Sequence, residues 1–203
     1  MSTKIKICGL FRQEDARAVN AAMPDYAGFV FHAKSRRNVS PEPANALRAA
    51  LHPDIRTVGV FVNAPVEQVA QLYKNGVISV SQLHGTEDHA YIQSLRKACP
   101  YLEIWQAFRV RAADDLHAAA QSPADLVLLD GGAGGGRTFD WPLARAFPRP
   151  FVLAGGLTPE TIPGAIRQLR PFAVDLSSGV ETDGVKDFDK IQAAVRAARR
   201  QSE

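Results

Sequence analysis

Two residues that close short apolar segments have side chains suited to proton transfer. Cys8 ends the segment Lys4–Cys8, and Gly9 behind it leaves room for a ligand beside the thiol. Asp130 ends the apolar segment Leu126–Asp130, where burial raises the pKa of a carboxyl group toward the range in which it can donate a proton. Cys8 would then act as a base or a nucleophile. Each residue also has a structural interpretation, because lone cysteines often pack as small hydrophobes and aspartates often cap loops.

Glycines and hydroxyl side chains follow two later segments of the chain. Backbone N–H groups in such sequences can converge at helix N-termini, where they bind a phosphate monoester. In a barrel of alternating strands and helices, the loops after the seventh and eighth strands often supply this site. We therefore predict phosphate binding, with two ordinary glycine-rich turns as the alternative, by Gly155, Gly156, Ser177, Ser178 and Gly179.

Two further groups of polar side chains lie near strand ends. Lys34, Arg36 and Arg37 form a cluster of cations that can bind a carboxylate, and a guanidinium does so with two parallel hydrogen bonds. A solvated surface patch is the other interpretation of this cluster. Gln82 and His84 close a fourth apolar segment, where they either face a ligand or satisfy each other and the backbone.

The glycine-rich segment 131–138 resembles a phosphate-binding loop in part. It has the spacing of G-x-x-x-x-G-K-[ST], but Arg137 stands where that motif has lysine, and no helix signal follows at once. No register matches the dinucleotide pattern G-x-G-x-x-G. A P-loop-like nucleotide hydrolase therefore remains an alternative, and otherwise this segment is predicted to be a mobile loop near the active site.

Eight short segments rich in β-branched and aromatic residues recur at a fairly even interval. Helical signals lie between them, so the pattern indicates alternating strands and helices around a parallel sheet. Near-constant spacing favours a closed (β/α)8 TIM barrel, and an open flavodoxin-like or Rossmann-like sheet is the alternative. The predicted strands are Lys4–Cys8, Ala27–Phe31, Thr57–Val62, Val77–Leu83, Leu102–Phe108, Leu126–Asp130, Phe151–Ala154 and Ala173–Leu176.

Three dipeptide or tripeptide signals predict where helices begin. Ser40-Pro41 combines an N-cap residue with a proline at the first helical position, and Ala64-Pro65 and Thr158-Pro159-Glu160 open two more helices. The last helix is predicted from an apolar stripe at helical spacing and from arginines that complement the helix dipole at its end. The stripe consists of Phe188, Ile191, Ala194, Val195 and Ala198.

Length and composition predict one α/β domain over residues 1–203, close to the lower size limit of about 200 residues for this barrel. Hydrophobic residues make up 46% and charged residues 22%, which is ordinary for a globular chain. A formal net charge of +3 is too small to suggest a nucleic-acid partner.

The sequence has no apolar run long enough for a membrane span and no secretory signal, so a cytoplasmic location is expected. The two cysteines, Cys8 and Cys99, are then expected to be free thiols. The five histidines have no metal-ligand spacing, and neither a metal site nor a cofactor is predicted.

A set of motifs resembles the phosphoribosylanthranilate isomerase family of tryptophan biosynthesis. The resemblance runs from about Lys4 to the C-terminal helix and implies a (β/α)8 barrel without cofactor or metal. The motifs that carry it are Lys6-Ile7-Cys8-Gly9, Gly28-Phe29-Val30-Phe31, Val58-Gly59-Val60-Phe61-Val62-Asn63, Gln82-Leu83-His84-Gly85, Phe139-Asp140-Trp141, Ala154-Gly155-Gly156-Leu157 and Val174-Asp175-Leu176-Ser177-Ser178-Gly179-Val180-Glu181.

The resemblance implies an Amadori rearrangement with Asp130 as general acid and Cys8 as general base. Asp130 would protonate the furanose ring oxygen of N-(5-phosphoribosyl)anthranilate, and Cys8 would remove the C2 proton from the opened chain. These roles require a raised pKa for Asp130 and a thiolate fraction for Cys8. The family's anthranilate-binding arginine falls on Arg37, and its phosphate-binding loops fall on the glycine and serine residues named above.

The expected partner is a phosphorylated small molecule, and the protein is expected to be a monomer or a homodimer. In a second hypothesis the protein binds the same ligand but does not catalyse the reaction, because a fold and its motifs do not guarantee an activity. In that case the protein is a non-catalytic barrel that binds such a phosphorylated ligand.

Overall fold

A closed barrel of eight parallel strands forms the centre of the protein in the computed structural model, which describes residues 2–132 and 141–200. Each strand pairs with its neighbour in the chain, and the last pairs with the first, which confirms the barrel over an open sheet. The strands are β1 (Lys4–Cys8), β2 (Tyr26–Phe31), β3 (Arg56–Phe61), β4 (Val80–Leu83), β5 (Glu103–Arg109), β6 (Leu126–Asp130), β7 (Phe151–Ala154) and β8 (Ala173–Leu176).

Helices follow the strands and surround the barrel. A two-stranded hairpin and a short 3-10 turn, Ser178–Val180, precede the last helix. The hairpin strands are β9 (Glu181–Thr182) and β10 (Val185–Lys186). The helices are α1 (Gln13–Ala22), α2 (Pro41–Ala50), α3 (Val66–Lys74), α4 (His89–Ala98), α5 (Ala113–Ala120), α6 (Trp141–Ala144), α7 (Ile162–Leu169) and α8 (Phe188–Arg200).

The predicted strand bounds agree with the structure except at β4. Strands β1, β6, β7 and β8 have the predicted bounds, and β2, β3 and β5 differ by one residue. Strand β4 begins at Val80, although the apolar pattern starts at Val77. Val77 and Ile78 are buried in the core before the strand pairing starts, and the N–H of Val77 donates to the carbonyl of Leu72 in a turn. Burial, not strand pairing, is therefore the reason that these two residues are apolar.

Two of the three predicted helix starts are confirmed. Helix α2 begins directly after Ser40, and α3 begins directly after Pro65. The prediction for Thr158-Pro159-Glu160 was wrong by several residues, because Thr158 donates its N–H to Oγ1 of Thr161 (2.9 Å) in a turn and α7 begins only at Ile162.

In the last helix, α8, four of the five predicted core residues are buried. Phe188, the first of them, is 51% exposed.

Strand alternation divides the hydrophobic core into two parts. On β1, Ile5 and Ile7 face the surrounding helices, while Lys6 and Cys8 face the interior of the barrel. The interior is filled from its N-terminal end by an apolar layer in which the rings of Tyr26 and Trp105 meet edge to face, 5.0 Å apart. The buried members of this layer are Tyr26, Val58, Val80, Trp105, Leu128, Val152, Ala154 and Ala173. Polar side chains inside the barrel are consequently gathered toward its C-terminal end.

Among the helices that the structure describes, none has the length and hydrophobicity needed to span a membrane. Cys8 and Cys99 are both free and buried, as expected.

We expect Leu128→Ala to lower the free energy of unfolding by about 2–5 kcal/mol, because it opens a cavity in the apolar layer inside the barrel. Urea denaturation followed by tryptophan fluorescence measures this loss. Leu126→Ala, two residues earlier on the same strand and only partly buried, is the matched control and should cost less. Equal losses for the two variants would contradict a tightly packed layer at Leu128.

Candidate active site

One cavity at the C-terminal end of the barrel is lined by nine of the ten residues predicted from the sequence. Its volume is about 320 Å³. The residues come from the ends of β1, β4, β6, β7 and β8, which is the face where barrels of this type hold their active sites. They are Cys8, Gln82, His84, Asp130, Gly155, Gly156, Ser177, Ser178 and Gly179.

Cys8 lies on the inner face of β1 beside a buried ion pair. Nζ of Lys6 is 2.8 Å from Oδ2 of Asp175, and Lys6 is fully buried. A Cβ on Gly28 of the neighbouring strand would lie 2.9 Å from Sγ of Cys8 and 3.2 Å from Cε of Lys6. Glycine is therefore needed at position 28 to make room for both side chains.

Burial works to raise the pKa of the Cys8 thiol, and the positive charge of Lys6 works to lower it. Burial is the larger effect, so the pKa of Cys8 is raised. The thiol form is the favoured form of Cys8 in this site.

Asp130 is the last residue of β6, and each of its two carboxylate oxygens has a polar neighbour. Oδ1 accepts the backbone N–H of Gly132 at 2.8 Å, and Oδ2 lies 3.6 Å from Nε2 of His84. Burial works to raise the pKa of Asp130, but His84, the N–H of Gly132 and the charge of Arg109 outweigh it and lower the pKa. The carboxylate form of Asp130 is favoured.

Both pKa directions are opposite to those predicted from the sequence. The prediction for Asp130 counted burial at the end of an apolar strand but not the hydrogen bonds that stabilise its charge. The prediction for Cys8 required a thiolate fraction, whereas the burial of this thiol has a greater effect than the neighbouring ammonium group. The pKa values of the two groups are shifted in opposite directions, as expected, but each shift has the opposite sign, so the proton stays on Cys8.

The glycine-containing loops after β7 and β8 are in contact with each other. A Cβ on Gly179 would collide with the backbone oxygen of Leu157. Gly155 and Gly156 have φ angles of +97° and +66°, and a Cβ on Gly155 would lie 2.7 Å from Oδ1 of Asp130. Oγ of Ser177 donates to the backbone oxygen of Cys8 at 3.1 Å. The two loops and the end of β1 thus form one continuous wall of the cavity.

Arg37 is the predicted site residue that does not line the cavity. Its Nε and Nη2 donate to the two carboxylate oxygens of Glu181 at 2.6 and 2.7 Å, and Nη2 of Arg36 donates to Oε2 of the same residue at 2.6 Å. In this structure, the carboxylate that Arg36 and Arg37 bind is therefore a side chain of the protein itself. The hydrogen bond to Glu181 raises the pKa of Arg37.

Glu181 and Lys186 were not predicted as part of this region. Nζ of Lys186 is 2.6 Å from Oε1 of Glu181, and both side chains are buried. Burial works to raise the pKa of Glu181, but its hydrogen bonds to Arg37 and Lys186 outweigh this and lower it. Glu181 has no distinctive signal in the sequence, because other polar residues such as Thr182 and Asp183 stand near it.

Gln82 and His84 contact each other and also line the cavity. Nε2 of Gln82 and Nδ1 of His84 are 3.3 Å apart. Oε1 of Gln82 is buried and has no hydrogen-bond partner among the described residues. The two side chains satisfy each other in part, and a role in ligand binding stays a prediction that the unpartnered Oε1 of Gln82 supports.

Part of the glycine-rich segment lies outside the described residues. Residues 133–140, with Arg137, are not described, and the predicted loop and the P-loop alternative are not tested there. Gly132, which is described, has a φ of +76°. Within the described ranges, no group of three or more His, Cys, Asp or Glu side chains could hold a metal ion.

The fold and the site define a (β/α)8 barrel with a thiol and a carboxylate at the mouth. A family model described as N-(5'phosphoribosyl)anthranilate isomerase matches residues 5–197. The N-(5'-phosphoribosyl)anthranilate isomerase of Lacticaseibacillus casei strain BL23 is 44% identical over 195 residues, 96% of this chain and 94% of that protein. The chain belongs to the N-(5'-phosphoribosyl)anthranilate isomerase family.

Solved structures agree with this assignment. Monomers generated from the dimeric phosphoribosylanthranilate isomerase of Thermotoga maritima match with a TM-score of 0.86 and 37% identity, over 98% of this chain and 99% of that one. A phosphoribosylanthranilate isomerase in complex with reduced 1-(o-carboxyphenylamino)-1-deoxyribulose 5-phosphate matches with a TM-score of 0.87 and 36% identity over the same shares.

We expect Glu181→Gln to lower the free energy of unfolding by about 3 kcal/mol at pH 7, because it leaves buried Lys186 without its charged partner. The pKa of Glu181 is lowered in the folded state, so its stabilising effect is complete above the pKa of a free glutamate, about 4.3. The difference between wild type and variant should narrow as the pH falls below that value.

Urea denaturation at several pH values between 3 and 7 measures this difference. Glu14→Gln is the control, because Glu14 makes an exposed pair with Arg17 and should contribute less than about 1 kcal/mol. A difference for Glu181→Gln that stays constant as the pH falls would contradict the role of its charge.

Proposed function

We propose that this protein catalyses the Amadori rearrangement of N-(5'-phosphoribosyl)anthranilate to 1-(2-carboxyphenylamino)-1-deoxyribulose 5-phosphate in tryptophan biosynthesis. One observation supports it above the others: Cys8 and Asp130 line the same cavity as the two glycine-containing loops. Family membership supports the reaction class. The proposal treats residues 1–203 as one barrel domain that acts in the cytoplasm, without cofactor or metal.

In this proposal, Asp130 protonates the furanose ring oxygen, and the ring opens to an iminium ion. Cys8 removes the C2 proton, and the positive iminium makes that proton more acidic. The resulting enolamine tautomerises to the ketone. Both groups act on the same substrate within one small cavity, so neither has to move far.

The reaction needs Asp130 protonated and Cys8 as a thiolate, whereas the structure favours the opposite distribution. The two distributions contain the same number of protons and differ by one transfer from Cys8 to Asp130. Because such forms are equivalent in a pH profile, kcat/KM should still rise as Asp130 ionises and fall as Cys8 ionises. The productive form is a minor form of the empty site, which the substrate must select or stabilise.

The substrate's polar groups have counterparts on the cavity wall. Oε1 of Gln82 and Oδ1 of Asp175 are buried acceptors without a partner among the described residues, and they suit hydroxyl groups of the sugar chain. The phosphate is assigned to Gly155, Gly156 and the Ser177–Gly179 loop. The phosphate end of the substrate would then lie against the loops after β7 and β8.

The resemblance assigns the anthranilate carboxylate to Arg37. Arg37 lies behind the cavity wall with its Nε and Nη2 on Glu181. Binding of that carboxylate therefore requires part of the guanidinium to turn toward the cavity. The ligand named in the matched complex combines the same three groups: a carboxyphenyl ring, a sugar chain and a phosphate.

A non-catalytic barrel that binds the same ligand is the second candidate function. It is supported by the pKa directions of Cys8 and Asp130, which disfavour the productive protonation form. Oligomeric state is a separate matter: the Thermotoga maritima relative is described as dimeric, and both a monomer and a homodimer are compatible with the proposed site.

We expect Cys8→Ser and Asp130→Asn each to lower turnover at least ~100-fold, because each removes a proton-transfer group. The assay follows the loss of fluorescence of freshly generated phosphoribosylanthranilate. Cys99→Ser is the matched control, since Cys99 is buried at the end of α4 and outside the cavity. Binding of the reduced product analogue should persist in both catalytic variants.

Rapid turnover by Cys8→Ser would contradict the assignment of the base. Absence of turnover in the wild type, together with tight binding of the analogue, would favour the non-catalytic barrel.

We expect His84→Leu to move the acid limb of the kcat/KM profile toward higher pH. His84, whose Nε2 lies 3.6 Å from Oδ2 of Asp130, lowers the pKa of Asp130, so its removal should raise that pKa. Rates measured between pH 4 and 9 show the shift. His52→Leu, on the exposed loop after α2, is the control. An unchanged acid limb in His84→Leu would show that His84 does not control the charge of Asp130.

A further inference from the structure

The Lys6–Asp175 ion pair lies beside the thiol of Cys8, and the mechanism above gives no part to Lys6. We propose that Lys6 is a positioning residue for Cys8, whose ammonium group stabilises the thiolate, and that Asp175 opposes this effect by competing for the same ammonium group. This inference rests on the proposed function of Cys8 as a base. It gives the buried pair a role in the reaction, in addition to closing the barrel.

Strand geometry places the three side chains together. Lys6 and Cys8 are two residues apart on β1, so both point into the barrel. Lys6 is the register partner of Asp175 on β8, and Nζ of Lys6 is 2.8 Å from Oδ2 of Asp175. The space beside Gly28 is occupied by Sγ of Cys8 and Cε of Lys6. The end of the lysine side chain is therefore enclosed between a thiol and a carboxylate.

The ammonium group of Lys6 has more N–H donors than its hydrogen bond to Asp175 uses. An ammonium carries three N–H donors, and one of those of Lys6 is used by Asp175. Burial works to lower the pKa of Lys6, but the charges of Asp175 and Cys8 and the hydrogen bond to Asp175 outweigh it and raise the pKa. Lys6 stays charged inside the barrel, where a charge acts more strongly than it does in water.

Asp175 limits how strongly Lys6 can stabilise the thiolate of Cys8. Its own negative charge disfavours a second negative charge on the thiol, and its Oδ2 holds the ammonium group. Removing Lys6 and removing Asp175 should therefore affect the thiol in opposite directions. If the ion pair had only a structural role, both variants would loosen the packing around Cys8. The pKa of the thiol would then change in the same direction in both.

Other charged groups that face Cys8 are bound to partners of their own. Lys186, on β10, lowers the pKa of Cys8 but donates to Glu181 (2.6 Å) and to the backbone oxygen of Ser177 (3.0 Å). Arg37, in the loop after β2, donates to Glu181 with two nitrogens. From β4 and β6, His84 and Asp130 lie on the same cavity wall and contact each other. Lys6 is the cation on the same strand face as the thiol.

The test measures how fast iodoacetamide alkylates Cys8 as a function of pH, in a Cys99→Ser background where Cys8 is the remaining cysteine. The thiolate is the reactive form, so the midpoint of the rate profile reports its formation. Lys6→Met should move the midpoint up by at least one pH unit. Asp175→Asn should move it down. Lys186→Met is the matched control and should move it up by less than Lys6→Met does.

Movement of both midpoints in the same direction, or no movement in either, would overturn the proposal. If Lys6→Met does not fold, as judged by circular dichroism, two other variants decide the question. Asp175→Asn should move the midpoint down, and Lys6→Arg should not. Lys6→Arg keeps the charge and should leave the midpoint within half a unit of the parent.

Alkylation does not depend on turnover, so this experiment is separable from the test of the reaction. If the midpoints shift as expected in a protein without isomerase activity, the role of Lys6 would be supported and the base role of Cys8 contradicted. Normal isomerase activity with unchanged midpoints would support the base role and overturn the role of Lys6. In an active protein, Lys6→Met should lower kcat by at least 10-fold at pH 7 with a smaller change in KM.

Discussion

Closure of the sheet between β8 and β1 is the constraint on which the rest of the molecule depends. It fixes which residues of each strand face inward, because a shift of one residue would exchange the inner and outer faces. With the observed pairing, Lys6 stands opposite Asp175, and their buried charges compensate each other. The same pairing directs Ile5 and Ile7 toward the helices. One register thus satisfies the hydrophobic core and the polar interior together.

The apolar layer at the N-terminal end of the interior determines how much of the barrel remains open. Its largest members are Tyr26 and Trp105, whereas the smaller side chains of Cys8 and Ala154 line the cavity at the mouth. A cavity of about 320 Å³ remains above it. The described lining of this cavity consists of residues at strand ends and in the loops that follow them, so specificity must come from these few groups.

The sequence predicted the fold and most of the cavity because both depend on local patterns. Apolar runs and glycines mark strand ends, and strand ends meet at one face of the barrel. It did not predict Lys6 or Glu181 as part of the site, because their partners are 169 and 144 residues away in the chain, at Asp175 and Arg37.

The predicted protonation states of Asp130 and Cys8 were also wrong, for a related reason. The pKa of Asp130 depends on the N–H of Gly132 and on His84, and that of Cys8 on its degree of burial. These quantities are set by tertiary packing and cannot be obtained from residue type and order.

The hairpin β9–β10 contributes Glu181 and Lys186, and Glu181 in turn binds two arginines of the loop after β2. Two loops that flank β1 on opposite sides are therefore joined above it by a single carboxylate. Exchange of either loop alone would remove charged partners from the other, because Arg37 would lose Glu181, or Glu181 would keep Lys186 but lose both arginines. In a chimeric or redesigned barrel, these two loops should therefore be transferred together, as one unit.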